Sequence, residues 1–158
     1  MFSEAELIEI EKIKKRYESP QSSLLPVLWM IQEKKGWISK ESMSYAAELL
    51  NIPYEYVLGV VSFYTMFFKK PKGKYHLQIC TNVSCMLRGG YELYKYACKK
   101  LGINKEEITS DGMFSIEEVE CLGSCATAPM MQVNNKEYFE NLTFEKFDEL
   151  IEKFKKEI

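Results

Sequence analysis

In Tyr75-His76-Leu77-Gln78-Ile79-Cys80-Thr81-Asn82-Val83-Ser84-Cys85 a strand pattern runs into a pair of cysteines. Tyr75, Leu77 and Ile79 alternate with His76 and Gln78, the period of two that marks a strand, and the run ends on Cys80. Beyond Cys85 the period changes. Leu93, Tyr94, Ala97, Cys98 and Leu101 recur at helical spacing, and Gly102 is a natural terminator. The spacing predicts a helix from near Met86 to Leu101, with Arg88, Gly89 and Gly90 in its first turn. His76 alternates with apolar residues, so it is expected to face solvent or a neighbouring loop and not to act as a ligand.

On the N-terminal side, Lys69-Lys70-Pro71-Lys72-Gly73-Lys74 is charged and holds both chain breakers, which makes it the natural break between domains 1–73 and 74–158. Everything before it reads as helix. Ser3-Glu4-Ala5-Glu6 fits a capping box, followed by Leu7, Ile10, Ile13 and Tyr17 until Ser19-Pro20. Ser23 is expected to cap a second helix with Pro26 in its first turn and Gly36 at its end. Ser39 caps a third helix through Leu50. Pro53 opens a fourth whose stripe is Val57, Val60, Val61, Tyr64, Phe67 and Phe68. The aromatics Phe63, Tyr64, Phe67 and Phe68 are read mainly as core, with a few available for docking.

On the C-terminal side, Asp111-Gly112 is a hairpin signal, and Ser115-Ile116-Glu117-Glu118 reads as strand in preference to a helix start. Met130 to Val133, the turn pair Asn134-Asn135, and Glu137-Tyr138-Phe139 make a second hairpin. Thr143 then caps a closing helix with Phe144, Phe147, Leu150, Ile151 and Phe154 inward. The fold class expected is α+β, a small helical bundle followed by a mixed α/β domain.

Two cysteine pairs stand in the second half: Cys80 and Cys85 as C-x4-C, Cys121 and Cys125 as C-x3-C, with 35 residues between them. Structural zinc usually takes tight C-x2-C knuckles, because four sulfurs must surround one ion. A 2Fe-2S rhomb has two irons with two thiolates each, and longer paired loops suit it. Zinc remains the main rival on spacing alone. A dithiol oxidoreductase would want C-x-x-C at a helix start, which is absent. Cys98 shares a helix face with Tyr94 and Leu101, so it reads as a small core residue and not as a ligand. Gly123 lets the second loop turn tightly, with backbone amides toward sulfur.

The bulk numbers exclude other classes. Lys+Arg 21 against Asp+Glu 23 gives a net charge of -2, and the basic residues form no stripe, so no nucleic acid is expected. Met1 to Lys15 has no apolar core or cleavage site of a signal peptide, and the apolar runs, such as Leu24 to Ile31 and Val57 to Phe68, are too short or too interrupted by polar residues to span a bilayer. Five cysteines without an export signal point to a reducing compartment. There is no Gly-x-Gly-x-x-Gly turn, hence no nucleotide cradle.

Cys80-Thr81-Asn82-Val83-Ser84-Cys85 with Arg88-Gly89-Gly90, and Val119-Glu120-Cys121-Leu122-Gly123-Ser124-Cys125 with Ala128-Pro129-Met130, closely resemble the E subunit of NADH-quinone oxidoreductase, the small 2Fe-2S subunit of respiratory complex I. Gly36-Trp37-Ile38 and Ser62-Phe63-Tyr64-Thr65-Met66-Phe67 extend the resemblance over nearly the whole chain. It implies a thioredoxin-like 2Fe-2S domain after about Lys74, and one 2Fe-2S cluster on Cys80, Cys85, Cys121 and Cys125. It also implies a partner subunit that alone carries FMN and NADH, other complex I subunits beside it, and a cytoplasmic place peripheral to the inner membrane. The chain is then an electron-transfer subunit with no catalytic residue of its own, in which Arg88, Gly123 and local amides tune the potential. An NAD-linked hydrogenase or formate dehydrogenase is the alternative host, and a zinc-stabilised interaction module the alternative class. Ala128-Pro129 is a candidate cis bond.

Overall fold

Ser3 accepts a hydrogen bond from the Glu6 N–H while the Glu6 carboxylate takes the Ser3 N–H at 2.6 Å, so a capping box opens helix α1 (Glu4–Lys14). The computed structural model describes residues 2–157, which divide into two units with the boundary between Pro71 and Lys72.

The first unit continues through α2 (Leu24–Lys35), α3 (Lys40–Leu50) and α4 (Tyr54–Phe63). Gly36 ends α2 at φ 79°, a left-handed conformation that glycine adopts without the penalty other residues meet. Ser23 occupies the N-cap position of α2 but caps nothing. Its backbone is already helical after the 3-10 turn Gln21–Ser23, and its hydroxyl donates backward to the Pro20 carbonyl at 2.7 Å. Ile10, Leu24, Leu28, Ile31, Ala46, Leu50, Val57 and Val61 form the core of this unit.

The expected stripe of α4 runs past the helix. Tyr64 is extended and stops it at Phe63. The buried Gln32 holds the segment beyond that stop: its amide nitrogen donates to the Met66 carbonyl at 2.8 Å, and its amide oxygen accepts the Phe68 N–H at 2.6 Å. A side chain thus serves the backbone where helical bonds would. Phe67 and Phe68 are buried as expected, whereas Phe63 is 78% exposed.

In the second unit, β1 (Tyr75–Cys80), α5 (Val83–Leu87), α6 (Gly90–Leu101), β2 (Phe114–Val119), β3 (Met131–Val133), β4 (Glu137–Phe139) and α7 (Phe144–Lys156) follow in order. The four strands make one mixed sheet, β2-β1-β3-β4. β1 and β2 are parallel, and the other two pairings are antiparallel. The Asp111-Gly112 turn is present, but it yields only a single antiparallel bridge, Ile108 to Ser115, because β2 takes β1 as its main partner. Leu77 and Ile79 of β1 share one core with Leu93 and Ala97 of α6 and with Phe147, Ile151 and Phe154 of α7, so both helices cover the same sheet face.

The helix expected from near Met86 is two helices. Gly89, at φ 87°, breaks the path, so Cys85 sits inside the short α5 and the long α6 begins at Gly90. The expectation for His76 is also corrected. It is 0% exposed, because β1 lies between two strands and its polar side carries a buried network of Ser115 and Glu117.

Candidate metal centre

Parallel pairing of β1 and β2 sets Cys80 opposite Val119, so the two strands end side by side. Chain leaving the carboxyl end of β1 enters the Cys80–Cys85 loop, and chain leaving β2 reaches Cys121. The topology therefore delivers both cysteine pairs to one end of the sheet, where parallel strands commonly place a site. The loops are sewn there by backbone: the Thr81 N–H donates to the Val119 carbonyl at 3.1 Å, and the Cys80 N–H to the Met130 carbonyl at 3.2 Å.

Cys80 and Cys85 are buried and pack with Ala128, Met130 and Leu122. Cys121 and Cys125 are exposed, their Sγ atoms 3.5 Å apart. Asn82 opens α5 by accepting the Val83 N–H at 2.8 Å. Gly123, at φ 85°, bends the second loop, and its N–H donates to Cys121 Sγ at 3.4 Å. Burial pushes the Cys85 thiol up to about 11, with the Cys80 thiol adding to it and the Met130 N–H opposing it; the charge of Cys125 is felt there too. The second loop is anchored from β4, where Tyr138 donates to the Leu122 carbonyl at 3.0 Å. The Glu140 carboxylate takes the Thr127 hydroxyl at 2.7 Å and that of Ser124. The Ala128-Pro129 bond is cis.

The sulfurs stand as two pairs from two loops, each pair receiving a backbone N–H. That suits a two-iron cluster, which takes two thiolates on each iron and is tuned by N–H donors to sulfur. A tetrahedral zinc wants all four around one point.

Other expected residues fall differently. Arg88 leaves the first turn assigned to it and spans the loops, donating from Nη1 to the Ala126 carbonyl at 3.2 Å. Cys98 is half-buried on α6 against the sheet core. Sequence reading missed Glu120, whose Oε2 accepts from Asn82 Nδ2 at 2.6 Å. The N-cap pattern at Asn82 is visible in the sequence, but nothing local pairs it with a residue 38 positions away.

It also missed the polar network on β1. Ser115 Oγ accepts the Gly73 N–H at 2.9 Å and lies 2.9 Å from His76 Nδ1. Glu117 Oε2 is 3.1 Å from His76 Nε2 and 3.1 Å from Lys72 Nζ. A carboxylate only accepts, so Nε2 carries the proton and Ser115 donates to Nδ1. Burial pushes the His76 pKa down, and the His76 hydrogen bond, then Lys72, holds the Glu117 carboxyl at about 2. Both groups stabilise this unit at higher pH. The His76 part is lost as pH falls below 6.5, and the Glu117 part as it falls from 4.5 toward 2. His76 is the only histidine, so His76→Gln is expected to flatten the profile of thermal midpoint against pH between 6.5 and 4.5. The loss below 4.5 is expected to shrink but to persist, because Lys72 still faces Glu117. An unchanged profile above 4.5 would contradict the buried neutral histidine.

A mixed sheet with two cysteine pairs at the shared end of its parallel strands is the arrangement of a thioredoxin-like domain with four thiols gathered at one end. The chain belongs to the thioredoxin-like [2Fe-2S] ferredoxin family, whose sequence model matches residues 10–155. Within it, the chain is 42% identical over 157 residues to the E subunit of the NADH-quinone oxidoreductase of Rickettsia bellii, covering 98% of this chain and 93% of the relative. It is 42% identical over 134 residues to the NADH-quinone oxidoreductase subunit 2 of Thermus thermophilus, covering 85% and 74%. An NAD+-reducing [NiFe]-hydrogenase solved in the H2-reduced state shares the fold, with a TM-score of 0.71 and 20% identity over 84% of this chain and 22% of that one. Among the described residues, no helix is long and apolar enough to cross a membrane.

Proposed function

We propose that the chain is the electron-transfer subunit of an NADH:quinone oxidoreductase, holding one 2Fe-2S cluster on Cys80, Cys85, Cys121 and Cys125. It exchanges single electrons with the flavin of a partner subunit that binds NADH. The observation that carries this reading is the delivery of two cysteine pairs to one end of the sheet by the parallel β1 and β2. The names of the full-length relatives support the host complex.

A bound cluster of this kind takes up and releases one electron at a time. The chain's own part is to hold and shield. Cys80 and Cys85 anchor the buried side, and Leu122, Ala128 and Met130 keep water from it. Gly123 and Met130 aim N–H groups at sulfur, which favours added negative charge. Cys121 and Cys125 form the exposed side, which suits exchange with a partner. FMN and NADH belong to that partner, in keeping with the absence of a phosphate-cradling glycine turn in this sequence. The assembly is peripheral to the cytoplasmic face of the inner membrane and is reached through other subunits.

Anaerobic purification tests the reading. Two irons and two acid-labile sulfides per chain, visible absorption, a paramagnetic signal on reduction and a co-purifying flavoprotein are the expected results. A colourless protein with one zinc and no sulfide would overturn it, and co-purification with a hydrogenase would overturn the choice of host.

A further inference from the structure

The two cysteine loops are joined by side chains that ligate nothing. Asn82 lies between Cys80 and Cys85, and its amide is used twice. Oδ1 accepts the Val83 N–H at 2.8 Å, and Nδ2 donates to Glu120 Oε2 at 2.6 Å. Glu120 directly precedes Cys121. On the other side, Arg88 reaches from just past Cys85 to the Ala126 carbonyl, just past Cys125. The first loop is therefore tied to both ends of the second.

The tie matters because the backbone bonds at the loop bases, from the Thr81 N–H to the Val119 carbonyl and from the Cys80 N–H to the Met130 carbonyl, hold where the second loop leaves and rejoins the sheet and not the exposed Cys121 and Cys125 within it. Cys121 and Cys125 are exposed, and the anchors from Tyr138 and Glu140 come from β4, the far strand of the sheet, and the residue after it. A pair of loops free to drift would have to be gathered each time ligands are assembled, and would relax whenever the charge at the site changes. Conformational freedom of that kind costs free energy to remove.

We propose that Asn82 and Glu120 are positioning residues that fix the separation of the two cysteine pairs. The inference rests on the proposed function, in which these pairs hold a 2Fe-2S cluster. Glu120 also sets a negative charge one residue from Cys121. Since a cysteine-ligated cluster is itself anionic and becomes more so on reduction, that charge opposes electron uptake.

Three variants separate distance from charge. Asn82→Asp keeps an oxygen to cap α5 but sets a carboxylate against Glu120. Glu120→Gln removes the charge, yet its amide oxygen still accepts from Asn82. In Asn82→Asp with Glu120→Gln the hydrogen bond is restored in the reverse direction, at the native net charge. The readouts are the rate at which a chelator bleaches the visible absorption, and the midpoint potential. Asn82→Asp is expected to bleach roughly fivefold faster, the equivalent of about 1 kcal/mol. The double variant is expected to return to within about twofold of the native rate. Glu120→Gln should keep the native rate and shift the potential positive. A native chain that purifies with zinc would overturn the proposed function and this inference together. A coloured native chain whose Asn82→Asp variant bleaches at the native rate, or is not rescued in the double variant, would overturn the inference alone.

Discussion

Cys121→Ala is expected to purify as a folded, colourless chain with almost no iron or acid-labile sulfide, while Cys98→Ala keeps the full visible spectrum. Cys121 is the informative proposed ligand to remove because it is exposed, so apart from the cluster its truncation is expected to cost only a few tenths of a kcal/mol. Loss of colour with the unfolding midpoint of the native chain stripped of iron then reports ligation and not collapse. Replacing the buried Cys85 would confound the two. Cys98 is the matched control: it packs on the core from α6, so its truncation is expected to cost about 1 kcal/mol and nothing in the spectrum. Bleaching of Cys98→Ala would show the ligand assignment to be wrong.

Gly90→Ala is expected to lower unfolding stability by about 2–3 kcal/mol and to hasten loss of the cluster. A Cβ at Gly90 would stand 2.8 Å from the Cys80 carbonyl oxygen, 2.9 Å from that of Cys85 and 3.0 Å from the Cys85 carbonyl carbon. These are backbone atoms, so no rotamer change relieves the contact. Either α6 backs away from the sheet or the Cys80–Cys85 loop is displaced, and both ends of that loop are proposed ligands. Gly102→Ala is the contrast, since a Cβ there meets nothing within 4 Å and bears only the strain of φ +67°. It should soften the protein slightly and leave the spectrum alone. Urea unfolding followed at a tyrosine signal and at the visible band measures both effects. A Gly90→Ala protein with native midpoint and native bleaching rate would contradict the close approach.

The α+β class and the order of elements are legible in the sequence because period-two and period-3.6 patterns are local properties, and Gly36, Ser39, Thr143 and Asn134-Asn135 mark ends by chemistry that needs no tertiary partner. Most places where reading fails depend on groups distant in the chain. The α4 stripe extends to Phe68 on periodicity alone, since nothing local shows that Gln32, from another helix, takes the Met66 carbonyl and the Phe68 N–H. Alternation by itself places His76 outward. Alternation reports burial only when one sheet face is wet, and here the polar side of an inner strand has Ser115, Glu117 and Lys72 around it. The helix start falls at Met86 when Arg88-Gly89-Gly90 is read as a first turn, whereas the left-handed Gly89 makes it a joint. At the site, the four cysteines are visible from spacing, and the ties between their loops are not.

The Asn134-Asn135 turn lies at the end of the sheet remote from the sulfurs, and both residues reach back to β1. Asn134 accepts the His76 N–H at 2.8 Å, and Asn135 and Gln78 exchange two hydrogen bonds at 2.7 and 3.0 Å. β3 is only three residues long, too short to hold its alignment by its own ladder. The turn therefore acts as a ruler laid at one end to measure a distance at the other. A slip by one residue would carry Met130 about 3.3 Å along β1, away from the Cys80 N–H it now receives. A genetic hunt for pale variants would accordingly gather lesions in these two asparagines together with the four proposed ligands.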